Sequence, residues 1–172
     1  MSILNSKFDV VRGWPGETAF DETFLPNAAI TADNPLTEGD IVSVQADGTV
    51  DRATSVDLEG AAVADLSTAL ATAPQLWLVV EGVGEHNYSS IQQKAVDGAL
   101  SYMPWKVVCI KGAYTFETQH FVERAYEPGS AVAAVGGIID LVTTDGTTAY
   151  QKYGEVVSYD AVGGVLTVAA IA

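Results

Sequence analysis

Tight-turn dipeptides recur between short β-branched runs along this chain, and that punctuation limits what it can fold into. Ala46-Asp47-Gly48 separates Ile41-Val42-Ser43-Val44 from Thr49-Val50-Asp51-Arg52-Ala53. Asp145-Gly146 separates Ile138–Thr143 from Thr147–Tyr153, and Gly163-Gly164 separates Glu155–Tyr159 from Val165–Ile171. Asp-Gly and Gly-Gly tolerate the positive φ that a two-residue hairpin turn demands, so each site predicts two antiparallel strands. Gln75–Gly82 is a nearly continuous apolar run, which predicts a strand buried on both faces. After Pro104, Trp105–Ile110 and Ala113–Val122 read as two more strands around the turn Lys111-Gly112. In the second, Tyr114, Phe116, Thr118 and His120 alternate against Thr115, Glu117, Gln119 and Phe121. Short strands at this spacing predict an all-β, mainly antiparallel fold, a small barrel or sandwich.

Two stretches break the pattern. Val56–Thr72 places Leu58, Ala61, Ala62, Leu66 and Leu70 near helical spacing, so one short helix or an irregular loop is expected there. Glu85–Ser101 is polar and contains Gly98, which fits a second short helix or a loop insertion over 85–101. Residues 1–35 differ again. Trp14-Pro15-Gly16 and Leu25-Pro26 interrupt regular structure, yet Phe8, Trp14, Phe20 and Phe24 are too large and apolar for a solvated linker. The expectation is an extended N-terminal arm, 1–35, followed by a β-rich globular domain, 36–172. The arm either completes the chain's own core or reaches a partner, and for a partner the anchors would be Trp14, Phe20 and Phe24, because aromatic residues dominate interface energies.

Charge narrows the class of partner. Eight Lys and Arg stand against 22 Asp and Glu in 172 residues, a formal net charge of −14. That sign disfavours a nucleic-acid groove or an anionic membrane surface, both of which need clustered cations. Apolar residues make up 48% and charged residues 17%, which excludes a generally disordered chain. The single cysteine, Cys109, allows no intrachain disulfide. No basic region followed by an apolar core is visible in Met1–Lys7, so no signal peptide is expected, and synthesis in a cytoplasm is.

Residue types that carry chemistry are sparse. His86 lies beside Glu85 in the polar insertion, and His120 sits in an alternating strand, where a partly buried structural histidine is expected. Two isolated histidines do not make a metal site. Cys109 lies in Val107-Val108-Cys109-Ile110, where a cysteine behaves as a small buried hydrophobe. Gly82-Val83-Gly84 and Gly136-Gly137 lack the strand–loop–helix context of a phosphate cradle. The expectation is therefore no enzyme, no cofactor, no metal and no catalytic residue.

One order of elements stands out. Val107–Gly112 leads to Tyr114-Thr115-Phe116-Glu117-Thr118-Gln119-His120-Phe121, then Tyr126-Glu127-Pro128-Gly129-Ser130-Ala131-Val132, then Tyr153–Val157 and Val165-Leu166-Thr167-Val168. Together with Leu36–Val42 and Asp47-Gly48-Thr49, it resembles the small head proteins of tailed bacteriophages, the capsid decoration or cement proteins. The resemblance covers residues 36–55 and 105–171. It departs at Glu85–Ser101, and at His120, where an acidic residue is commoner. The resemblance implies a virion structural protein, often a homotrimer, that sits outside the mature capsid and bridges neighbouring units of the major capsid protein lattice against internal DNA pressure. The alternative class is a receptor- or carbohydrate-binding module of a phage tail or fibre, for which three tryptophans and seven tyrosines supply ring faces.

Overall fold

A computed structural model describes residues 8–13, 19–30, 34–55, 73–81, 107–142 and 151–171. Eleven strands and no helix lie among them. The first sheet contains β1 (Phe8–Gly13), β7 (Tyr114–Thr118), β8 (Ala131–Val135), β9 (Ile138–Leu141), β10 (Gly154–Asp160) and β11 (Val165–Ala170), in the order β1-β7-β11-β10-β8-β9. The second contains β2 (Ala19–Phe24), β3 (Ile41–Val44), β4 (Val50–Arg52), β5 (Leu76–Glu81) and β6 (Val107–Gly112), in the order β2-β6-β5-β3-β4. Every pairing between these strands is antiparallel. The protein is all-β, a two-sheet sandwich with barrel-like closure, as the turn chemistry predicts. Of the two expected helices or insertions, 56–72 and 85–101, both lie outside the described residues.

A bent ribbon joins the sheets along one flank. β6 and β7 are consecutive, with only Ala113 between them, and they belong to different sheets. The N-terminal segment runs antiparallel to this bent strand along its whole length. Phe8 pairs with Thr118 and Gly13 with Tyr114, then Ala19 pairs with Gly112 and Phe24 with Val107. Between these two pairings the partner strand advances by Ala113 alone. Sandwich corners are commonly made by strands that switch sheets at a bend. The extended arm supplies one edge strand to each sheet.

Hydrogen bonds close the opposite flank. Ile41 N donates to Gly137 O at 2.8 Å, Gly137 N to Ala53 O at 2.8 Å, and Ser55 N to Ala134 O at 2.7 Å. Side chains extend the seam: Ser55 Oγ accepts from Ala134 N at 2.9 Å and Thr54 Oγ1 from Gly136 N at 3.0 Å. Gly137 holds φ +85°, and a Cβ there would meet Arg52 Cγ at 2.9 Å, so a glycine is needed on both counts.

Two apolar clusters follow from this geometry. Between the sheets lie Ile41, Leu78, Tyr114, Phe116, Val132, Ile139, Val156, Leu166 and Val168. A second cluster contains Phe24, Ile30, Leu36, Val42, Val50, Trp77, Val79, Val107 and Cys109. Neighbours in sequence divide between the clusters, as with Ile41 and Val42 or Leu78 and Val79, so the second sheet is apolar on both faces. That is why Gln75–Gly82 reads as an unbroken apolar run rather than an alternating one. Burying two sheet faces against two clusters gives a chain of this size enough apolar contact to fold without cross-links.

The hairpins at Asp47-Gly48 and Gly163-Gly164 form as expected, with Val44 opposite Val50 and Asp160 opposite Val165. Ile138–Leu141 departs from the expectation. It pairs backwards with β8 through Gly136-Gly137, with Val135 opposite Ile138, and residues 143–150 around Asp145-Gly146 lie outside the described residues. A glycine pair at φ +58° and +85° makes the shorter connection.

Candidate functional site

The most concentrated polar chemistry among the described residues lies where the two sheets meet beside Gly137. Thr37-Glu38-Gly39-Asp40 is a turn docked on β5: Gly39 N donates to Val79 O and Val79 N to Asp40 O, both at 2.9 Å. This docking carries the Asp40 carboxylate inward to 0% exposure. Oδ2 accepts from Thr37 N at 2.9 Å and from Arg52 Nη2 at 3.3 Å. The same guanidinium nitrogen donates to Pro35 O at 2.6 Å, and the Arg52 stem lies against Gly137. Oδ1 has no hydrogen bond, and His120 Nε2 lies 3.5 Å from it. His120 comes from the other sheet and is 25% exposed, and its N–H donates to Thr118 Oγ1 at 2.9 Å.

This arrangement is a seam, with one carboxylate held by a cation from its own sheet and faced by an imidazole from the other. A buried carboxylate is costly unless paired, and here the pairing requires that the Thr37–Asp40 turn, β4 and the end of β7 all be in place. The residues are suited to fixing the relative position of the sheets. They do not present a metal site: no group of three or more potential ligands occurs among the described residues, and Arg52 already occupies one carboxylate oxygen.

Sequence reasoning put His120 in an alternating strand as a partly buried residue; it is partly buried, but it lies two residues beyond the end of β7, where the alternation has stopped. Sequence reasoning did not find Asp40 or Arg52. Asp40 reads as one polar residue of a turn, and nothing local marks it as buried.

The three candidate partner contacts fall in different places. Trp14 lies outside the described residues. Phe20 is in β2, in register with Lys111. Phe24 is 8% exposed, and its ring meets Trp77 edge-on at 5.0 Å, so it fills its own chain's core, the other reading the sequence left open. Trp77 is itself buried at 3%, with Lys111 Nζ 4.6 Å above its ring. Trp77 therefore offers no face to a sugar. His86 lies outside the described residues.

Cys109 and three tyrosines, Tyr114, Tyr126 and Tyr153, are withdrawn from solvent. Burial pushes the Cys109 thiol up to about 12, against the depressed value a nucleophile needs. Tyr114 and Tyr153 share a buried hydroxyl–hydroxyl hydrogen bond of 2.6 Å, and burial raises both well above the usual phenol range. Tyr126 donates to Val122 O at 2.7 Å and packs edge-on with Phe121 and Tyr159. Burial together with the neighbouring Asp140 charge pushes it up to about 12. A tyrosine bonded back to the backbone a few residues upstream pins a chain reversal in other β-sandwiches, and Tyr126 does that before the Pro128-Gly129 turn.

Fold and seam together define the class: an all-β, two-sheet protein whose N-terminal segment is built into both sheets. Comparison of the chain with protein-family models, with curated proteins and with solved structures finds no match.

Proposed function

We propose that this chain is a non-enzymatic virion structural protein of a tailed bacteriophage, which binds outside the mature capsid and bridges neighbouring units of its lattice. One observation carries the reading. The segments that bear the resemblance, residues 36–55 and 105–171, supply eight of the eleven strands: the β3–β4 hairpin, the bent β6–β7 strand, the turn at Pro128-Gly129 and the closing β10–β11 hairpin belong to one two-sheet body. A cement protein must transmit load between capsomers without deforming. A body bonded on one flank by a continuous strand and on the other by a hydrogen-bonded seam is suited to that task. A net charge of −14 disfavours contact with nucleic acid and suits the outer face of a particle that must stay dispersed.

A ligand that binds only the expanded lattice stabilises that lattice by mass action. If the protein assembles as a trimer, several moderate contacts combine through high effective concentration. The test is co-sedimentation of purified protein with expanded and unexpanded shells that lack it. The reading expects saturable binding to expanded shells alone. Absence of binding to either shell would overturn it, and binding to a glycan array instead would support the tail or fibre class.

A further inference from the structure

Four strands form the edges of the two sheets, and the chain treats them differently. The outer edge of β9 is covered by its own chain, since Phe121 bridges Ile139 and Val122 N donates to Ile139 O at 2.8 Å. The outer edge of β4 is covered as well: Pro26 bridges Val50, Val50 N donates to Leu25 O at 2.9 Å, and Asn27 N donates to Val50 O at 2.8 Å. β1 carries a register shift between Val10 and Arg12, and a bulge of this kind twists an edge away from further pairing. Among the described residues, β2 has none of these protections. Its register with β6 runs unbroken from Ala19–Gly112 to Phe24–Val107, and its other edge has no backbone partner among the described residues.

An unprotected edge offers a row of outward N–H and C=O groups to an added strand. The residues at the centre of β2 decide what kind. Asp21 and Glu22 stand side by side, and Glu22 and Thr23 are exposed. If a second copy added its own β2 antiparallel about this centre, Asp21 would lie opposite Glu22 twice, and like charges directly opposite destabilise a ladder. A basic strand in the same position would place opposite charges across from one another. We propose that the outer edge of β2 is a strand-addition site for an extended, Lys- or Arg-bearing segment of a different protein, and that its acidic centre excludes a second copy. The site is independent of the capsid reading, so either can fail alone.

The probe is the peptide acetyl-Thr-Val-Lys-Lys-Val-Thr-amide, compared with the same peptide carrying two Glu in place of the two Lys. The full-length protein is titrated with each, and amide hydrogen exchange is followed. The Lys peptide is expected to bind about tenfold tighter or better, from two favourable cross-strand pairs replacing two unfavourable ones. It should slow exchange within residues 19–24. The double substitution Asp21→Lys and Glu22→Lys should reverse the preference towards the Glu peptide. Protection located elsewhere, no preference between the peptides, or no binding by either would overturn the proposal. Should the double variant fail to fold, the location of protection in the unaltered protein decides the matter.

Discussion

Replacing Arg52 by Ala probes the seam where it is most exposed to failure. The guanidinium is the cationic partner of a carboxylate that is 0% exposed, at 3.3 Å, and the same nitrogen also satisfies Pro35 O at 2.6 Å. Removing one partner of a buried ion pair typically costs about 3–5 kcal/mol, because the other charge is left uncompensated. Arg52 is 20% exposed, so water reaches part of the vacated space. Thr37 N still donates to Asp40 Oδ2 at 2.9 Å. These two compensations place the expected loss at the lower end, about 3 kcal/mol. For a domain of this size that corresponds to a fall in Tm of about 6–12 °C. Urea denaturation followed by tryptophan fluorescence gives the free energy, and calorimetry gives the Tm. Arg52→Lys keeps the charge but loses the planar fork, and is expected to cost about half as much. A loss below about 1 kcal/mol for Arg52→Ala would refute the reasoning, because that is the range of a solvated surface pair.

Four further outcomes follow from the same geometry. Gly154→Ala would set a Cβ 2.4 Å from Ala169 O and 2.8 Å from Val168 Cγ1, and is expected to cost about 2 kcal/mol in a denaturant titration, the range for forced overpacking. Tyr153→Phe leaves the Tyr114 hydroxyl buried without its 2.6 Å partner and should cost about 1–3 kcal/mol, whereas the double change with Tyr114→Phe should cost less than the sum of the two single changes, as a double-mutant cycle would show. Cys109 is expected to stay unreacted towards a thiol reagent in the native protein at pH 8 and to react stoichiometrically once the protein is denatured, since burial lifts it from 9.0 to about 12. The raised thiol and phenols make stability fall in alkali: the unfolded chain releases these protons near 9.0 and 10.0 while the folded chain holds them towards 12, so stability is intact below pH 9 and declines above it. A flat stability profile between pH 8 and 11 would contradict that sign.

How far the sequence revealed this structure depends on the range of each interaction. Asp47-Gly48 and Gly163-Gly164 announce their hairpins because the requirement for positive φ is local to the turn. The alternation in Tyr114–Thr118 announces a half-buried strand for the same kind of reason: the burial alternates residue by residue along β7. β8 was obscured because Ala131–Ile139 carries no polar side chain to set an alternation, and Asp145-Gly146 offers a stronger local turn signal than Gly136-Gly137 does. β1 and β2 are harder to read because Trp14-Pro15-Gly16 interrupts the sequence between them. The chain resumes pairing beyond it, because the partner strand bends between sheets at that point. The seam was the least legible feature. Asp40, Arg52 and His120 come together only after two sheets have formed, and no spacing along the chain encodes that meeting. Phe24 shows the converse limit: an aromatic residue in an irregular-looking segment suits an interface and a core equally well until its neighbours are known, and here its neighbour is Trp77.

The claim that this two-sheet body serves as an external capsid brace is tested most directly by the heat stability of the shell itself. Expanded shells lacking the protein are melted alone and with saturating protein, with the isolated protein melted in parallel as a reference. The account predicts a higher shell melting temperature that saturates with occupancy and is absent for unexpanded shells. An unchanged melting temperature at demonstrated full occupancy would contradict it.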